Sequence, residues 1–162
     1  MESNNSEILA KKSRELLSDQ LSSIDSNNSK AGTFISISSL FIPLSFGLLD
    51  NFDKGVIGIL VFSVPIILNL IGLFHLIKAL FPKKIYHGLN FNEFENLLNK
   101  EDSRDLYDFE IGANRDSFKD NDKTLKTQNK DLKCGLVYIY ASAIFLTLSI
   151  LIDFLTDSYH KL

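Results

Sequence analysis

Two long apolar stretches, residues 31–49 and 55–81, separated by Asp50-Asn-Phe-Asp-Lys54, constrain this chain more than any other feature. The first has no ionisable residue across its 19 positions. The second is uncharged from Gly55 to Phe74 and continues through His75 and Lys78 to Phe81. A helix crossing the roughly 30 Å of a bilayer core needs about 20 apolar residues, and both stretches reach that length. Backbone polar groups in hydrocarbon must be satisfied within the segment, so the segments are helices rather than strands. The pair predicts a transmembrane hairpin. A third uncharged run, 134–152, carries Tyr138 and Tyr140 at the end where an interfacial aromatic belt belongs.

The rest of the 162 residues is of a different material, rich in Asn, Asp, Lys and Ser. The expected fold class is an all-α membrane protein with three transmembrane helices. Its parts are an amphipathic helix in 1–30, the hairpin in 31–81 (31–49 and 55–81), a helical region in 82–133, and the third membrane helix with a short tail in 134–162. The first helix is expected from Ser6, with Ile8, Leu9, Leu16, Leu17, Leu21 and Ile24 on one face and a weak point at Asp25-Ser-Asn-Asn-Ser29. That face suits either packing on its own neighbours or resting on headgroups. A short helix is expected around Phe91, Phe94, Leu97 and Leu98. A longer one begins with Ser103 as N-cap and continues into the third membrane helix. Along it Ile111, Phe118, Leu125 and Leu132 recur every seven residues, predicting a narrow seam flanked by polar Asn114, Asn121 and Gln128.

Fourteen of the 17 Lys and Arg lie in 1–30 and 82–133, against Lys54 and Lys161 on the opposite side. The positive-inside bias therefore places the N-terminus in the cytoplasm and, after three crossings, the C-terminus outside. The polar start shows no cleavable signal pattern, so the first membrane helix is expected to insert as an uncleaved anchor.

Three groups of residues are candidates for function. Arg115, Lys119, Lys123, Lys126, Lys130 and Lys133 fall within about 80° of one another on a helix. Such a stripe is either a solvated face with acid partners nearby or a site for an anion. Asn69, His75 and Lys78 are polar positions inside the second membrane helix, where polar groups usually face protein or water. An interhelical hydrogen bond and a proton relay through His75 are the alternatives. Small residues form possible packing stripes, Gly32, Ser36, Ser39 and Gly47 (with Pro43) on the first membrane helix and Gly135, Ser142 and Ser149 on the third.

Enzyme signatures are missing: there is no HExxH pair, Walker loop, GxGxxG or GxSxG elbow, and the three His have no Cys partners. The expectation is a non-enzyme without metal or cofactor. A net charge of −3 gives no reason to expect nucleic acid as a partner. The single Cys134 excludes an internal disulfide.

The order of parts, with Ser29-Lys-Ala-Gly-Thr-Phe34 at the membrane entry and Gln128-Asn-Lys-Asp-Leu-Lys133 before the last membrane helix, resembles the Pycsar-type small transmembrane effectors of bacterial antiphage signalling. That resemblance implies an inner-membrane antiviral defence effector and homo-oligomer. It would respond to a cyclic nucleotide made by a partner cyclase, impair membrane integrity and stop growth of the infected cell. No nucleotide-binding motif is matched residue by residue, so the lysine stripe is the one candidate for an anionic ligand. A passive membrane scaffold presenting its cytoplasmic helices to a soluble partner, and a holin-like pore protein, are the alternative functions.

Overall fold

A computed structural model describes residues 2–51, 56–89, 97 and 103–160. Among them the chain forms three helices, α1 (Glu2–Asn51), α2 (Val56–Leu80) and α3 (Ser103–His160), and no strand. At 1.5 Å per residue the 50-residue α1 is about 75 Å long and the 58-residue α3 about 87 Å. Each far exceeds a bilayer's thickness. Two of the helices are long and apolar enough to cross a membrane: α2, over Val61–Leu80, and α3, within Arg104–Ile152.

The chain packs as two units. The first joins Met1–Ser26 to Pro82–Gln128, and the second joins Asn27–Phe81 to Asn129–Leu162. In both, burial recurs every seven residues along the long helices. On α1 the buried positions include Ala10, Leu17, Ile24, Ala31, Ser38 and Ser45. On α3 they include Asn114, Asn121, Gln128, Gly135, Ser142 and Ser149. A seven-residue spacing keeps one stripe facing a partner helix, as in a coiled coil. The core of the second unit is Ala31, Leu76, Ala79, Leu132 and Ile139.

Several expectations change. α1 begins at Glu2 rather than Ser6 and passes through 25–29 without a break. Asn and Ser weaken helices because their side chains compete for nearby backbone. Here Asn27 is buried and gives its amide Nδ2 to Asn129 Oδ1 at 2.7 Å, a partner on another helix. The seam on α3 is not led by its apolar heptad. Phe118 is 37% exposed and Ile111 and Leu125 are half-buried, whereas Asn114, Asn121 and Gln128 are buried beside Leu132. On the first face of α1, Leu17 and Ile24 are buried but Ile8, Leu9 and Leu16 stay exposed.

On the α1 stripe of Gly32, Ser36, Ser39 and Gly47, most positions face outward among the described residues. Ser36, Ser39 and Gly47 are exposed, and a methyl group added at Gly32 or Gly47 would meet nothing within 4 Å. The packed face lies one residue away, on Ala31, Ser38 and Ser45, because the seven-residue run from Ala10 fixes the register of the whole helix. Residues 52–55 of the inter-helix loop and most of the short helix expected at 91–98 lie outside the described residues; Leu97 is helical and buried.

Candidate functional site

In the first unit the buried polar residues of α3 hold the chain that follows α2. Residues 82–87 are non-helical, and Asn121 pairs with them as another backbone would. Its Nδ2 donates to the Tyr86 carbonyl at 2.7 Å while its Oδ1 accepts from the Tyr86 N–H at 2.9 Å. Ser117 Oγ accepts from the Gly88 N–H at 3.2 Å. Gly88 has φ +89°, and a side chain there would strike Asn114 Oδ1 and approach Leu17. Only glycine takes this conformation at little cost.

The same face reaches α1. Asn114 Nδ2 donates to Ser13 Oγ at 2.9 Å and Gln20 Nε2 to the Phe118 carbonyl at 3.0 Å, while Arg14 pairs with Glu110. Polar side chains can form a core when each finds such a partner. On the exposed side, the Lys12–Glu15 ion pair at 2.8 Å draws the Glu15 carboxyl below its ordinary value and lifts the Lys12 ammonium above its own, through their shared hydrogen bond.

The second unit is built by close approach of α2 and α3. A methyl group on Gly72 would come within 3.0 Å of the Gly135 carbonyl oxygen, and one on Gly135 equally close to that of Gly72. Small residues at a crossing let helix backbones meet, the usual basis of helix association in lipid. Ser142 donates from Oγ to the Pro65 carbonyl at 2.7 Å, whereas Ser149 bonds the Phe145 carbonyl of its own helix.

Where α2 ends, the structure brings together His75, Lys78 and an acid that sequence reasoning had not singled out. Asp131 is buried, with Oδ1 3.5 Å from His75 Nδ1 and 3.6 Å from Lys78 Nζ. His75 also stacks on Tyr138, with ring centroids 6.0 Å apart and planes within 3°. Asn69 is buried but not part of this cluster's ion pairs, and its Oδ1 has no hydrogen-bond partner among the described residues. Asp131 Oδ2, His75 Nδ1 and Ser38 Oγ share that condition. The signal for Asp131 was its place ten residues after Asn121, on the buried side of α3. It was hidden by its exposed neighbours Lys130 and Lys133.

All six basic residues of the α3 stripe are exposed. Arg115, Lys123 and Lys126 pair with Asp116, Asp120 and Asp122 of the same helix, at 3.1, 3.7 and 2.6 Å. Exposed pairs of this kind contribute little to stability. Lys119, Lys130 and Lys133 make no ion pair among the described residues. Among those residues, too, no group of three or more His, Cys, Asp or Glu is placed to hold a metal.

No family model, curated protein or solved structure matches the chain.

Proposed function

We propose that this chain is an effector of the bacterial inner membrane that is triggered by a cyclic nucleotide to impair membrane integrity. In this reading 31–49 joins α2 and the apolar end of α3 as a third membrane helix, with 1–30 and 82–133 in the cytoplasm. The exposed bases of α3 meet the anionic nucleotide supplied by a partner cyclase, and the membrane unit then assembles with further copies.

The observation that carries the reading is the set of buried polar atoms in the second unit with no hydrogen-bond partner among the described residues: Ser38 Oγ, Asn69 Oδ1, His75 Nδ1 and Asp131 Oδ2. Hydrocarbon offers such atoms no partner, and each costs free energy until a neighbouring helix or water supplies one. A protein that only anchored itself would gain by replacing them with apolar residues. One that rearranges in the membrane has a use for groups satisfied in a second packing. The exposed small residues Ser36 and Ser39 of α1, with open space beside Gly32, offer a face for assembly.

Expression with and without a cyclic-nucleotide cyclase, followed with a membrane-potential dye, tests the proposal. Depolarisation dependent on the cyclase is expected; an unchanged potential under signal rejects it. The scaffold alternative is favoured by one feature, the exposed apolar residues Ile8, Leu9 and Leu16 on the first unit. A stoichiometric soluble partner recovered without any toxicity would support that alternative instead.

A further inference from the structure

The six bases of α3 are not equivalent, and their lower end belongs to a group that also involves the other two helices. Within the second unit, Asn27 bonds Asn129 and the Phe34 ring meets Tyr140 edge-on at 6.5 Å. These two contacts make α1 and α3 parallel and set Lys30, midway between Asn27 and Phe34, level with residues 132–134. Lys78 reaches Asp131, so it stands at the same level on α2. Lys130 and Lys133 flank that acid on α3. Four lysines from three helices are thus placed near one level of the second unit.

Every one of the four is exposed. Asp131 is buried and turned to His75 and Lys78, and Lys30, Lys130 and Lys133 make no ion pair among the described residues. Directly beyond the band begins a surface of exposed apolar side chains: Ile37 and Leu40 on α1, Phe74 on α2, Val137 and Tyr140 on α3. A solvated lysine face carries acids at i,i+4, as Lys126 does with Asp122; these lysines do not.

We infer that this collar of Lys30, Lys78, Lys130 and Lys133 binds the headgroups of anionic phospholipids in the cytoplasmic leaflet. A phosphodiester with acyl chains matches both parts of the surface, charge at the collar and apolar area beyond it. A free phosphate would match only the first. The inference rests on the membrane reading above, and it narrows the stretch left for a soluble nucleotide to Arg115, Lys119, Lys123 and Lys126. Three of those already have acid partners, and a ligand must compete with them.

The test uses the purified full-length chain in vesicles of phosphatidylcholine alone and in an equimolar mixture with phosphatidylglycerol. Flotation with the phosphatidylcholine vesicles after carbonate washing checks membrane insertion by itself; a chain that does not float overturns the membrane reading. For the inserted chain, native mass spectrometry of lipid carried out of the mixed bilayer reads the collar. Wild type should retain phosphatidylglycerol over phosphatidylcholine, and each of K30Q, K130Q and K133Q should lower that ratio about fivefold. K30R, K130R and K133R should keep it, and K119Q/K123Q should leave it unchanged. Retention at the input ratio by a chain that floats, equal loss in K119Q/K123Q, or full displacement of the lipid by inorganic phosphate would overturn the assignment.

Discussion

The two units use one packing period and opposite chemistry. Both bury every seventh residue of α1 and α3, yet α3 contributes Asn114, Asn121 and Gln128 to the first unit and Gly135, Ser142 and Ser149 to the second. In the first, large side-chain amides reach across to neighbouring elements, Asn121 to the Tyr86 backbone and Asn114 to Ser13 Oγ. In the second, small residues remove that space, and the backbones of α2 and α3 nearly touch. On the proposed membrane reading, the contrast follows from solvent. A chain packing in water can specify contacts with amides because any unmatched group is rehydrated during assembly. In lipid an unmatched amide stays unmatched, so close packing of small residues is the safer device. The exceptions in the second unit, Asn69 and Asp131, then stand out as the residues whose role goes beyond packing.

Substitutions should separate the two chemistries. The largest effect is expected for Asn121→Ala, which strands the N–H and C=O of Tyr86 at once. At about 1–3 kcal/mol per orphaned group, the first unit should lose roughly 2–6 kcal/mol in a denaturant titration followed by circular dichroism. Gly135→Ala should cost about 1–3 kcal/mol in the second unit, because the added methyl meets Leu76 and the Gly72 carbonyl and the helices must part. Gly88→Ala should destabilise the first unit by about 1–2 kcal/mol through its positive φ alone, with the Asn114 contact adding to that. Ser142→Ala removes one hydrogen bond whose acceptor can keep its place in the helix, and should cost about 0.5–1.5 kcal/mol. If Ser142→Ala proved worse than Asn121→Ala, the division between amide-built and close-packed units would be wrong.

The smallest effect is expected at the exposed Lys12–Glu15 pair. Glu15→Gln should leave the unfolding midpoint at neutral pH unchanged within error. Because the folded carboxyl is lowered, whatever the pair contributes is present above the ordinary carboxylate range and disappears as acid titrates through the lowered value.

The apolar runs on α2 and α3 were legible because length and the absence of charge are properties of the segment itself. Continuity of α1 through Asp25–Ser29 was not, since helix propensity is local while the partner of Asn27 lies 102 residues away. The polar heptad of Asn114, Asn121 and Gln128 reads as a defect in an apolar seam until the Tyr86 backbone is placed opposite Asn121 and Ser13 opposite Asn114. The stripe on α1 illustrates a different limit. Spacings of three and four pick out Gly32, Ser36, Ser39 and Gly47 as readily as the adjacent Ala31, Ser38 and Ser45. The choice between them is made by Leu17 and Ile24, two and more turns earlier on the same helix. Lysine spacing likewise marked one stripe on α3, whereas Arg115, Lys123 and Lys126 pair with acids of the same helix and Lys119, Lys130 and Lys133 make no ion pair among the described residues.

Three membrane crossings underlie the proposed function, the collar and the contrast between units, and reporters fused to the two ends of the full chain test them together. One reporter active only in the cytoplasm and one active only outside the inner membrane should find the N-terminus inside and the C-terminus outside. Both ends on the same side would contradict the account, because it would leave an even number of crossings and remove 31–49 from the membrane.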